Sequence, residues 1–306
     1  MSVQETPAPD ELRIPVAGGD LAVLRWPGDA AAGGAPGGTG EPPVLAVHGI
    51  TANGLSFGAV AARLARRTTV IAPDLRGRGA SGHLPGPYGI GAHVDDLVAV
   101  LDHLGIERAV LAGHSMGAFV SCLAAVRRPD RFAAALLIDG GFGLAAPPGT
   151  DVEDVIGPAM ARLRMEFADR DAYRDFWRAH PAFGGGLSAE ADAYIQRDLV
   201  GAEPHLRSAC AQEAVRTDGA QIFGDSDVLE AVHRLPCPAR LLWAPRGLLD
   251  EEPGLYTRER LAPLAEAGVA VEQVPDTNHY SLLLDPDAAQ TVADRVRDLQ
   301  HEAMRG

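Results

Sequence analysis

Two short runs that favour extended chain, LRIPV (12–16) and LAVLRWP (21–27), flank AGGD and predict a β-hairpin with a Gly-rich turn. The segment GDAAAGGAPGGTGEPP (28–43) has little apolar content and many Gly and Pro, and reads as a surface loop. From residue 44 the pattern becomes strand, loop, helix, repeated. Apolar runs at 44–49, 68–75, 109–115 and 134–140 predict buried strands, and the stretches 57–67, 94–105 and 117–129 between them carry helical periodicity. Short apolar strands alternating with helices imply a mostly parallel sheet covered on both faces, with chemistry at the carboxyl ends of the strands.

The alternation stops for about ninety residues. Within 143–232, Ile156, Met160, Leu163 and Phe167 share one helical face, Tyr173, Phe176, Trp177 and His180 another, and no strand is expected. Strand pattern resumes at 239–245 and 269–275, and a last amphipathic helix is expected over 286–303. The expected organisation is a core of 1–142 and 233–306 interrupted by a helical insertion, 143–232.

Composition narrows the function classes. Hydrophobic residues at 46% and charged ones at 22% are ordinary for a globular chain of 306 residues. No apolar run approaches the ~20 residues of a membrane span, and MSVQETPAPDELR lacks the marks of a signal peptide, so a soluble, cytoplasmic protein is expected. A net charge of -14 argues against nucleic acid and anionic membrane as partners and leaves a small-molecule substrate. Cys122, Cys210 and Cys237 are far apart and read as core thiols; no metal or cofactor motif is present, so neither is expected. GAPGGTG (34–40) is Gly-rich but joins no strand to a helix and lacks the Lys-Ser/Thr of a phosphate loop.

The chemistry sits at strand ends. GHSMG (113–117) closes a buried strand and opens a helix, a turn that strains the backbone and projects the Ser115 hydroxyl into a cleft. A serine needs a base. His279, in VPDTNHYSLLLDP after the last strand, is the histidine placed to fold back over the sheet; His83, His93, His103, His180, His205, His233 and His301 have no such placement. HGITANG (48–54) ends the strand at 44–49 and can aim the Ile50 N–H at the point reached by the Met116 N–H, forming an oxyanion hole, with His48 bracing the loop.

Together the strand order, HGIT, DLRGRGAS, GHSMG and NHYSLL resemble the α/β-hydrolase superfamily over about residues 12–299. That resemblance implies an α/β fold with a mostly parallel eight-stranded sheet flanked by helices, a helical cap inserted after the sixth strand, and the chain order nucleophile, acid, histidine. Asp74, Arg76, Gly77, Gly79 and Ser81 match the family's D-x-R-G-x-G-x-S loop, to which a structural role is assigned. Relatives place the acid after the sixth or the seventh strand. Asp139, 24 residues after Ser115 in LLIDGG, is preferred; Asp250 is the alternative, with Glu251 and Glu252 further behind. Either would hold the His279 tautomer. The expected activity is hydrolysis of a carboxylic ester or lactone of a hydrophobic molecule, with Trp177, Phe176 and Tyr173 as candidate substrate contacts. Serine at the nucleophile position speaks against epoxide hydrolase and dehalogenase chemistry. Thioesterase, C–C bond hydrolase and perhydrolase activities, and a weakly catalytic ligand receptor of the same fold, are the alternatives.

Overall fold

The computed structural model describes residues 8–28, 41–64, 67–144, 152–184 and 186–305. Most of the expected loop at 28–43, residues 1–7 of the N-terminal stretch read for a signal, and residues 145–151 near the start of the insertion lie outside the described residues.

The core sheet runs β1 (Asp10–Val16), β2 (Gly19–Trp26), β3 (Val44–Val47), β4 (Val70–Pro73), β5 (Ala109–His114) and β6 (Phe132–Ile138). Two further strands follow the insertion, β9 (Ala239–Trp243) and β10 (Ala270–Gln273), and the spatial order is β1-β2-β4-β3-β5-β6-β9-β10. β1 pairs antiparallel with β2, and β2 with β4; the other neighbours are parallel. Side chains alternate between two cores. Leu45 and Val47 of β3 and Leu111 of β5 face one, Val44, Ala46, Val110 and Ala112 the other. The first core is closed by α2 (Ile90–His103) and α3 (Met116–Arg127), the second by α1 (Gly58–Leu64) and the C-terminal α11 (Pro286–Ala303). Both faces of the strands are thus removed from water, which is why they read as unbroken apolar runs.

Between β6 and β9 lie α4 (Val152–Arg162), α5 (Arg170–Arg178), α6 (Ala189–Arg197), α7 (Gln212–Gly224) and α8 (Ser226–Glu230), none of which joins the main sheet. Two expectations fail here. A short antiparallel ribbon, β7 (Leu199–Val200) with β8 (Arg207–Ser208), stands where no strand was expected, because two-residue strands leave no periodic trace. Phe167 does not continue the face of Ile156, Met160 and Leu163: α4 is kinked at Ile156, ends at Arg162, and Phe167 forms a bridge with Leu206. After β9 the chain forms α9 (Arg258–Glu266), to which the sequence reading assigned no element, and after β10 the one-turn α10 (Ser281–Leu284). Among the described residues no helix is long and apolar enough to cross a membrane.

Candidate active site

Ser115 sits between β5 and α3 with φ 54° and ψ -122°, a conformation sparsely populated by residues with a side chain. Its N–H bonds Ile138 O at 2.9 Å, tying the turn to β6. Such a tight turn brings α3 against β3: a Cβ on Gly117 would lie 1.9 Å from Val47 O, so only glycine fits. The 48–54 loop abuts the same point, since a Cβ built on Gly49 would lie 3.6 Å from Ser115 Oγ.

That loop is fixed by two buried side chains. His48 Nε2 accepts the Leu75 N–H at 2.9 Å, so its Nδ1 carries the proton and donates to Gly49 O at 2.8 Å. Burial holds the His48 pKa down at about 3 and keeps the ring neutral. Ala52 N–H also closes on Gly49 O, at 3.2 Å. Ile50 N–H shares its peptide plane with that carbonyl and points the opposite way. Met116 opens α3, where an N–H has no intrahelical acceptor.

His279 is buried on the turn before α10, with Nδ1 2.7 Å from Asp139 Oδ2. Asp139 is fully buried at the end of β6, has a positive φ of 46°, and accepts the Ala244 N–H on its other oxygen at 3.2 Å. A carboxylate at Nδ1 makes that nitrogen the proton carrier and leaves Nε2 free as a base. Asp250 lies elsewhere. Its Oδ1 accepts from Arg246 Nε and from Asn278 Nδ2, both at 2.8 Å. Asn278 in turn caps the His279 turn by accepting the N–H groups of Tyr280 and Ser281. His114 supports the histidine from below. Its Nε2 donates to His279 O at 2.9 Å, the ring centroids are 4.6 Å apart, and burial pushes its pKa well below the usual imidazole value.

Ser115, His279 and Ile50 line one cleft of about 790 Å³, open solvent at its mouth included. The other walls come from Leu144, Ile156, Ile222, Leu248 and Leu255, with Tyr194 and Tyr280 among the described lining residues and no Lys, Arg, Asp or Glu. The aromatic trio expected to touch substrate divides between the core and a second cleft that shares Ile156, Leu248 and Tyr280 with the first. Tyr173 is fully buried, its hydroxyl on Asp198 Oδ2 at 2.7 Å; Phe176 and Trp177 line an adjoining cleft with Arg162, His180 and Leu249. Tyr194, Tyr280 and Leu248 went unnoticed because nothing local in the sequence distinguishes a lining residue from a packed one. Among the described residues no group of three His, Cys, Asp or Glu could hold a metal ion. The three cysteines are free thiols, and burial pushes Cys210 and Cys237 to about 11.

The DLRGRGAS loop packs beneath this cleft. Asp74, fully buried, accepts from Gly54 N–H, Ala80 N–H and Arg197 Nε of α6, all at 2.8 Å. Arg76 forms a buried fork on Asp96.

A doubly wound, mostly parallel sheet with a strained serine at a central strand end defines the class, and comparison with known proteins agrees. The chain belongs to the alpha/beta hydrolase family, whose model matches residues 44–295. It is similar to a putative non-heme haloperoxidase of Mycobacterium phage D29, with 40% identity over 276 residues that cover 86% of this chain and 90% of the relative. An uncharacterized protein of Mycobacterium bovis is 38% identical over 134 residues; this match covers 40% of the chain and only 37% of that protein. In three dimensions, E-2-(acetamidomethylene)succinate hydrolase superposes with a TM-score of 0.74 over 95% of this chain and 99% of that one, at 22% identity.

Proposed function

We propose that this protein is a serine hydrolase that cleaves a neutral, largely apolar carboxylic ester or lactone through an acyl-enzyme on Ser115. The observation that carries the reading is the 2.7 Å contact of His279 Nδ1 with buried Asp139, in a histidine that shares a cleft with Ser115. In this reading Nε2 of His279 takes the Ser115 proton as Oγ attacks the carbonyl, and Asp139 stabilises the imidazolium. The N–H groups of Ile50 and Met116 receive the oxyanion. His279 then returns the proton to the leaving alkoxide, and water, deprotonated by the same nitrogen, releases the acid. The segment between β6 and β9 works as a cap, because α4 and α7 contribute Ile156 and Ile222 to the cleft. Neutrality of the substrate follows from a described lining without a charged side chain; an anionic substrate would be desolvated there without compensation.

A second reading draws on the name of the phage relative: hydrogen peroxide in place of water would attack the same acyl-enzyme and release a peracid. Both need Ser115. The test is turnover of a panel of p-nitrophenyl esters, lactones and thioesters, with and without peroxide, by the native chain and Ser115→Ala. Loss of kcat by roughly 10⁴ to 10⁶ is expected for the variant. Less than a tenfold fall removes Ser115 from the mechanism.

A further inference from the structure

Arg78 is fully buried, yet it occupies a variable position of the D-x-R-G-x-G-x-S loop and has no part in the chemistry described above. Its Nε donates to Ile50 O at 2.7 Å, its Nη1 to Arg76 O at 2.9 Å, and its Nη2 approaches Met116 Sδ at 3.8 Å. The same Nη2 forms a 2.5 Å ion pair with Asp218 of α7, whose side chain is completely buried. Asp218 Oδ2 also accepts from His93 Nε2 at 2.9 Å. One guanidinium thus touches both residues whose N–H groups are assigned to the oxyanion, and its countercharge comes from the segment between β6 and β9.

We propose that Arg78 and Asp218 are positioning residues that hold the oxyanion hole in register and make its geometry depend on a docked α7; this rests on the serine hydrolase reading. The peptide before Ile50 is fixed through Gly49 O by His48 and Ala52, as described above. The peptide after it is fixed through Ile50 O by Arg78. With both flanking planes held, the direction of the Ile50 N–H is set before substrate arrives, which is what makes such a donor effective. A charge this deep must be neutralised, and Asp218 is the carboxylate in contact with it. If α7 leaves, Arg78 loses its countercharge and Ile50 O loses a positioned donor. The hole is then assembled only when the cleft is covered.

Arg78→Lys keeps the charge that Asp218 needs but lacks the fork that reaches Ile50 O at the same time. The double variant Arg78→Met/Asp218→Leu removes both charges together, so that neither is left buried without its countercharge, although His93 Nε2 loses its acceptor. As a control, Asp96→Asn breaks a second buried ion pair of the same loop, Arg76–Asp96, which touches neither Ile50 nor Met116. For each we would measure kcat and KM on the best ester of the panel, the inhibition constant of phenylboronic acid, which places an oxygen in the hole, and Tm. Arg78→Lys and the double variant should lower kcat about ten- to a hundredfold and weaken the boronate by a similar factor, with KM within about threefold. Asp96→Asn should lower Tm while leaving kcat and boronate affinity within about threefold. The proposal is overturned if a folded Arg78→Lys or double variant keeps kcat within threefold of the native chain, or if Asp96→Asn loses as much kcat and boronate affinity as they do. Undiminished turnover by Ser115→Ala would instead sink the serine mechanism itself.

Discussion

Asp139 serves two partners at once, His279 Nδ1 on one oxygen and the Ala244 N–H on the other, and the second partner closes the neighbouring strand. The carboxylate of β6 thereby occupies the end of β9 as well. Asp250 reaches the same histidine only at one remove, through Asn278, with its side chain 39% exposed. Two aspartates that the sequence left open therefore make different predictions. Asp139→Asn should cost kcat on the order of 10³ to 10⁴, by favouring the wrong imidazole tautomer, and should leave KM nearly unchanged. Asp250→Asn, which retains an acceptor for Asn278 and Arg246, should cost less than about tenfold. Reversal of that order in steady-state kinetics would transfer the role to Asp250. The placement of Ser115 on a strand-to-helix turn and of His279 on a late loop was legible, because each leaves a local signature in the sequence. Between Asp139 and Asp250 the sequence only leaned towards Asp139, since which strand end lies beside His279 is decided in space. Arg78 was invisible for the same reason: its partner stands 140 positions away.

At the scale of elements, the eight strands of the sheet were readable because β3, β5 and β6 are buried on both faces, whereas β7 and β8 are too short to write a pattern. The elbow between β5 and α3 is the most constrained junction. Gly117→Ala drives a Cβ to 1.9 Å from Val47 O, a backbone atom of a central strand that cannot retreat. We expect a loss beyond about 4 kcal/mol, read as insolubility or a fall in Tm of about 10 °C or more. The identical substitution at Gly58, the first residue of α1, meets no heavy atom within 4 Å. There the change should add about 0.5 to 1 kcal/mol by lowering the freedom of the unfolded chain. A Gly117→Ala protein that melts with the native one would mean that α3 does not approach β3 as described.

For the whole molecule, pH dependence follows from two neutral, buried imidazoles. His48 titrates at about 3 and His114 well below its usual range, burial being the first cause in each. In the unfolded chain both take a proton near pH 6.5. Below that value the unfolded state binds protons that the folded state refuses, so stability is complete above about pH 6.5 and drains away as pH falls towards 3. Each histidine contributes a slope of about 1.4 kcal/mol per pH unit, together nearly 3. Relief of repulsion within a chain of net charge -14 acts the other way, more weakly where charges are exposed and screened. Urea unfolding between pH 7.5 and 5 should show this decline before most carboxylates titrate, and His48→Gln should remove about half of it. A flat profile over that interval would contradict the neutral assignment of both rings.

Seating the carboxylate on β6 has a consequence for how such a protein diversifies. The connection from β9 to α9 supplies Leu248 and Leu255 to the cleft but, on this reading, carries none of the reacting groups. Apart from Arg246 and Asp250, which brace Asn278 beside His279, its side chains can drift under selection for a new substrate while the proton relay stays intact, so recognition and reactivity are inherited separately. A library confined to residues 247–255, with Asp250 kept, is the place where altered preference should appear without loss of turnover.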